Sequence, residues 1–226
     1  MPTISVAVVI PTLDEEDAIR RHLPAVLGEA EEVLISDGGS TDDTVRVATE
    51  IGARVITGAQ GRGPQMNLGA RHTSAPTLLF LHADSQLPPG AIDAIRQEID
   101  KGRVGGGFTV RFDEDRWPYR LGSGLVNLRT HLTRIPLGDQ GQFVTRRVFD
   151  QLTGFRDWPI LEDLDFMRRL KRQGPVAIIV GPVVTSARRY VKGGVIRTLT
   201  NNWLIWLLYL AGVSPHRLAH RYRQLR

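Results

Sequence analysis

Apolar and polar positions alternate between two periods along the first half of the chain. Short β-branched or leucine-rich runs at residues 5–10 (SVAVVI), 32–36 (EVLIS), 54–57 and 78–81 (LLFL) have the length of buried strands. Between and after them lie stretches with helical spacing, at about residues 12–28, 41–51, 65–72 and 89–101. Thr12 and Glu15 stand at capping-box spacing for the first of these helices, Thr41 or Asp42 caps the second, and Gly52 ends it. Residues 105–112 alternate as a strand. Strand and helix in regular succession, with connections too long for hairpins, predict an α/β fold: a mostly parallel sheet flanked by helices on both faces.

The second half is less regular. Residues 119–133 and 162–172 read as helices, and 142–145, 176–180 and 183–185 as short strands. The last element is an apolar helix at 203–213, WLIWLLYLAGV, which is far short of the ~20 residues that span a bilayer. No repeat or linker divides the chain, so 1–226 is expected to form one domain.

Three of the strands end in polar turns: Pro11-Thr12 through Glu15, Asp37-Gly38 through Ser40, and His82-Ala83-Asp84. Ligands of open α/β sheets bind outside the carboxyl ends of the strands, which makes these turns the expected site. A turn acid after a strand is also ordinary, and Asp84 alone would support either reading. Neither G-x-G-x-x-G nor G-x-x-x-x-G-K-[ST] is present, so a nucleotide here would be held by carboxylates and backbone.

Composition adds two limits. With 226 residues, 42% hydrophobic and 23% charged, the chain can bury a full core, and with no cysteine it has neither disulfides nor thiolate metal ligands. The +5 charge suggests a polyanionic partner, and the excess gathers in Arg217, Arg221, Arg223 and Arg226, with no acid among them. A basic tail after an apolar segment suits an anionic membrane surface better than DNA bases, which need a docking helix or ribbon. The segment 203–213 itself reads first as packing on the core or on a second copy of the chain, and second as an in-plane membrane helix. No signal-peptide pattern precedes the first strand, so a cytoplasmic location is expected, peripheral to the inner face of the membrane if the tail binds lipid.

The ordered motifs PTLDEE, DGGSTDDT, GRGPQMN, LHADS, GDQGQFV and LEDLDF resemble family 2 glycosyltransferases over nearly the whole chain. With SARRY, they look like the bacterial subgroup labelled arsenosugar-biosynthesis-like glycosyltransferases. The resemblance implies a GT-A fold and a nucleotide-diphosphate sugar donor, uridine-linked. It also implies a divalent cation, Mn²⁺ or Mg²⁺, and inversion at the anomeric carbon. The chain then divides into a nucleotide-sugar half at 1–112, an acceptor half at 113–190, and a C-terminal helix with basic tail at 191–226.

The same resemblance places Pro11, Thr12, Glu15, Asp37, Gly38, Arg62, Asn67, His82, Ala83 and Asp84 around the nucleotide sugar, with Asp84 as the metal ligand. His82 stands where the family's Asp-x-Asp motif has its first acid. Asp163, beside Glu162 at the start of a helix, matches the family's general base, although acids in a first helical turn also suit the helix dipole. Asp139, Gln140, Trp158, Arg188 and Arg189 fall on the acceptor or leaving-group side. The acceptor is a small molecule or a lipid-linked hydroxyl. Two other functions fit parts of this pattern: a sugar-nucleotide nucleotidylyltransferase, though PTLDEE replaces its glycine-rich basic loop, and a nucleic-acid-binding module on charge alone.

Overall fold

In the computed structural model, residues 4–58 and 60–223 are described. The β-branched run after Ile4 forms β1 (Val6–Thr12), all seven residues of which are buried. It is followed by α1 (Glu16–Leu27), β2 (Glu32–Asp37), α2 (Thr44–Ile51), β3 (Arg54–Thr57), α3 (Arg62–Arg71) and β4 (Thr77–Phe80). Then come β5 (Ser85–Gln86), α4 (Ala91–Asp100), β6 (Gly105–Phe112), α5 (Trp117–Thr133), a 3₁₀ turn (Gly138–Gln140), β7 (Gln142–Thr145) and α6 (Arg146–Gln151). The chain continues through α7 (Glu162–Leu170), β8 (Val176–Thr185), α8 (Arg188–Gly193), α9 (Val195–Leu210) and α10 (Pro215–Arg223).

The eight strands form one sheet in the order β3-β2-β1-β4-β7-β6-β8-β5. Only β7 and β5 run against the other six, since β7 is antiparallel to both β4 and β6 and β5 is antiparallel to β8. Val8 and Ile10 of β1 face one apolar layer, with Ile19 and Leu23 of α1 and Ile92 and Ile95 of α4. Ala7 and Val9 face the other, with Met66 of α3 and Phe166 and Leu170 of α7. That two-sided burial is why the strands read as continuous apolar runs.

The structure corrects several local expectations. Thr12 is the last residue of β1, and Glu15 holds the N-cap position of α1 without a side-chain cap bond, so there is no capping box. The N-cap of α2 is Asp43, one residue past Asp42. Residues 176–180 and 183–185 belong to the single strand β8, whose pairing with β6 shifts register between Phe108 and Val110. The apolar segment from Trp203 is the second half of α9, and the tail from Pro215 is itself helical. The side chains of Arg189, Arg221 and Arg223, and all of Arg226, lie outside the described residues.

Candidate active site

The strand ends of β1 and β2 are tied together by their own polar side chains. Asp37 is fully buried; Thr12 Oγ1 donates to its Oδ1 at 3.1 Å, and the Gly39 and Ser40 amides donate to its Oδ2 at 2.8 and 2.9 Å. The Gly38 amide donates to the Thr12 carbonyl at 2.9 Å. Gln65, on the buried face of α3, donates to the Thr12 and Ser36 carbonyls at 2.6 and 2.9 Å. These bonds shape the turn that follows Pro11 and Thr12. Asn67 is used in the same structural way: its amide exchanges two 2.8 Å hydrogen bonds with the Phe155 backbone.

Beyond that turn, three charged groups meet. Arg188, the first residue of α8, places Nη2 3.3 Å from Glu15 Oε2 and 3.4 Å from Asp84 Oδ2. One guanidinium is thereby joined to carboxylates 104 and 173 positions earlier in the chain. Burial pushes the Glu15 carboxyl up, and the Arg188 contact offsets that only in part. Ala83, between His82 and Asp84, is buried in the core layer on the α1 side of the sheet.

His82 lies deeper, against the 3₁₀ turn. A Cβ on Gly138 would stand 2.7 Å from His82 Nε2 and 3.3 Å from Asp163 Oδ2, so only glycine lets the turn pass between them. The Gly138 amide donates to Asp163 Oδ2 at 2.8 Å, and Asp163 Oδ1 accepts from the Leu164 amide at 2.7 Å. Leu161, just before the acidic turn of α7, has φ 65°, an uncommon conformation for leucine at a helix start.

The acids of α7 divide cleanly. Asp165 is held by Arg169 at 2.7 Å and Arg156 at 3.4 Å. Glu162, 2% exposed, pairs through Oε1 with Arg62 Nε at 2.8 Å, leaves Oε2 without a partner, and is raised in pKa by burial. Asp163 faces the cavity.

Asp139 is half-buried with an enclosed, unpartnered Oδ1, and desolvation holds it above its ordinary value despite nearby Arg129 and His82. Arg129 of α5 had no motif to mark it in the sequence. It donates to Gln140 Oε1 at 3.1 Å, and burial lowers its pKa.

Glu15, Arg62, His82, Asp84, Asp139, Asp163 and Arg188 all line one cavity of about 760 Å³. Its outer wall comes from α5, α8 and α9, through Arg129, Tyr190, Arg197, Asn201, Asn202, Trp203 and Trp206. Of the expected residues, Pro11, Thr12, Asp37, Gly38, Asn67, Ala83, Gln140, Trp158 and Glu162 do not line it. Asp37 and Asn67 are consumed as described. Gln140 is fully buried, accepting from Leu137 N and Thr130 Oγ1 and donating to the Phe108 carbonyl. Trp158 packs edge-on against Tyr209 at 6.0 Å and under Arg156.

The glycosyl transferase family 2 model matches residues 7–158. The chain belongs to glycosyl transferase family 2. An uncharacterised glycosyltransferase of Mycobacterium tuberculosis is 34% identical over 143 residues, covering 60% of this chain and 64% of its own length. An undecaprenyl-phosphate 4-deoxy-4-formamido-L-arabinose transferase of Klebsiella pneumoniae is 28% identical over 155 residues, covering 62% of this chain and 47% of its own length. The chain thus spans less than two thirds of the length of these relatives.

Two solved structures share the fold. S. aureus TarS residues 1–349, in complex with UDP-GlcNAc, superposes with TM-score 0.65 at 13% identity, over 81% of this chain and 59% of that one. Glucosyl-3-phosphoglycerate synthase from M. tuberculosis, in complex with Mn²⁺, UDP and phosphoglyceric acid, gives 0.61 at 22% identity, over 93% and 79%. The architecture is that of the GT-A glycosyltransferases.

A divalent cation fits the donor set in one way only. Among the described residues, no group of three or more His, Asp or Glu side chains could cage a metal. Asp84 nevertheless presents a part-exposed carboxylate to the cavity, with Glu15 one guanidinium away. One or two protein carboxylates, completed by waters and diphosphate oxygens, suit Mg²⁺ or Mn²⁺, hard ions that seldom need a full protein cage.

Proposed function

We propose that this chain transfers a sugar from a nucleotide-diphosphate donor, uridine-linked, to an acceptor hydroxyl with inversion at the anomeric carbon. The observation that carries the reading is the convergence of Glu15, Asp84 and Arg188 at one end of the cavity with Asp163 further in. The first group suits a diphosphate and the second an incoming nucleophile. Family membership and the UDP bound in related folds support the same division.

In this reading Thr12, Asp37 and Gly38 shape the turn beside the base and ribose, and Glu15 and Asp84 face the diphosphate. A divalent cation held at Asp84 would neutralise charge on the diphosphate. Arg188 meets the same oxygens with a guanidinium fork, and Arg189 follows it in sequence. Glu162 holds Arg62 by their ion pair, which makes it a positioning residue rather than the base. Asp163 takes the proton of the acceptor hydroxyl as that oxygen bonds to the anomeric carbon. The bond from that carbon to the diphosphate breaks, and the nucleoside diphosphate leaves with the electron pair. Asp139 and Arg129, which line the cavity, flank the sugar or acceptor.

The outer wall favours an acceptor with an apolar part, because Val126, Ile160, Leu199, Trp203 and Trp206 line it. A lipid-linked acceptor fits that wall, and the Klebsiella relative is named for a lipid phosphate.

Single-turnover transfer by Asp163→Asn, Glu162→Gln and Asp165→Asn tests the assignment of the base. Asp163→Asn should fall by about two to four orders of magnitude, the usual contribution of a positioned base. Near-normal turnover in that variant, with collapse in either neighbour, would reassign the base.

A further inference from the structure

Helix α5 buries Gly122, Ser123, Val126 and Thr130 and leaves Trp117, Leu121, Leu125, Leu128 and Leu132 exposed. Spacings of four, four, three and four residues set those five side chains in one stripe along roughly 25 Å of helix. The two ends are the most open, Trp117 at 72% and Leu132 at 76% exposure. A lone exposed leucine needs no explanation, but a continuous apolar stripe on an outer helix marks a contact surface.

Helix α9 lies beside α5 at Gly122, where a Cβ would touch Val195 and Leu199 at 3.6 and 3.7 Å. It adds exposed Ile196, Leu204, Leu207 and Leu210. Trp203, part-exposed, and Val126, on the buried side of α5, both line the cavity, so these two helices flank it.

Charge identifies the partner. Twelve lysines and arginines follow Asp165 with no Asp or Glu among them, although Arg169 is paired with Asp165 and Arg188 with Glu15 and Asp84. Arg197 lines the cavity and Arg217 is exposed on α10, which packs on α9. By contrast, Arg116 and Arg120 at the start of α5 are paired with Glu114 and Asp115. Apolar helix faces beside unopposed cations are the combination that an anionic lipid surface attracts.

We propose that the α5–α9 face docks on an anionic bilayer, with the stripe entering the headgroup boundary and the flanked cavity held at the membrane. No helix among the described residues is long and apolar enough to cross it. The inference stands on exposure and charge, and vesicle binding tests it without reference to sugar transfer.

The test is sedimentation of the full chain with vesicles of equimolar phosphatidylglycerol and phosphatidylcholine, or of phosphatidylcholine alone, at low and high salt. Binding should favour the anionic vesicles and weaken with salt. The double variant Leu128→Glu/Leu132→Glu should lower partition about tenfold or more, and the milder Trp117→Ser/Leu121→Ser severalfold, with melting temperature and donor affinity unchanged. Absence of binding at low salt, equal binding to neutral vesicles, or unaltered binding by both variants would overturn the proposal. So would a dimer that both variants split in sedimentation velocity while vesicle binding holds, because the stripe would then join two copies of the chain.

Discussion

The Gly138 amide donates to the Asp163 carboxylate at 2.8 Å, joining the 3₁₀ turn before β7 to the first turn of α7. A Cβ on the same glycine would stand 2.7 Å from His82 Nε2. Gly138→Ala should therefore displace the turn and with it the Asp163 carboxylate. Turnover should drop at least tenfold while donor affinity changes little, a split that steady-state kinetics with parallel calorimetry would read.

Arg188 neutralises Glu15 and Asp84 together. Arg188→Ala should leave two acids facing one another across the cavity. Calorimetric titration with Mn²⁺ alone should then show tighter binding than in the unaltered chain. Donor affinity should fall, because a cation facing the diphosphate is gone.

Asp139 is predicted to cost stability where it is ionised. Its folded pKa is raised above the ordinary 3.8, so the folded state holds the proton more tightly than the unfolded chain. Stability from this site is complete below about pH 3.8 and is lost as pH rises through the raised value. Asp139→Asn should remove that loss, so the variant gains on the unaltered chain between acidic and neutral pH. Urea denaturation across that range would measure the gain. Sugar transfer should fall in the same variant, because an amide replaces the carboxylate facing the cavity.

Gln65 ties the ends of β1 and β2 through two backbone carbonyls. Gln65→Leu removes one donor from each carbonyl, the Thr12 carbonyl keeping the Gly38 amide, and should destabilise the fold by about 1–3 kcal/mol, seen as a lower urea midpoint with an unchanged slope.

How much of this was visible beforehand depended on how each residue is held. The sheet and its carboxyl-end acids were legible because β1, β2 and β4 are buried on both faces and end abruptly in polar turns. The Thr12–Glu15 spacing misled because Thr12 bonds across to Asp37, a partner 25 residues away that local spacing cannot show. Helix α9 seemed to begin at Trp203 since Arg197, Asn201 and Asn202, polar and turned to the cavity, break the apolar pattern of its first half. Arg129 and Gln65 carried no motif, and only the fold brings them to the site. Gln140 and Asn67, conspicuous in their motifs, prove to be used up by backbone partners.

The cavity that Asp84 and Asp163 line is proposed to bind a nucleotide-diphosphate sugar. Calorimetric titration of such sugars in the presence of Mn²⁺, into the unaltered chain, Asp84→Ala and Asp163→Asn, tests it most directly. At least one uridine-linked sugar should bind the unaltered chain, bind Asp163→Asn with similar affinity, and lose at least tenfold in Asp84→Ala. If no sugar nucleotide binds, or if Asp84→Ala binds as tightly as the unaltered chain, the account is contradicted.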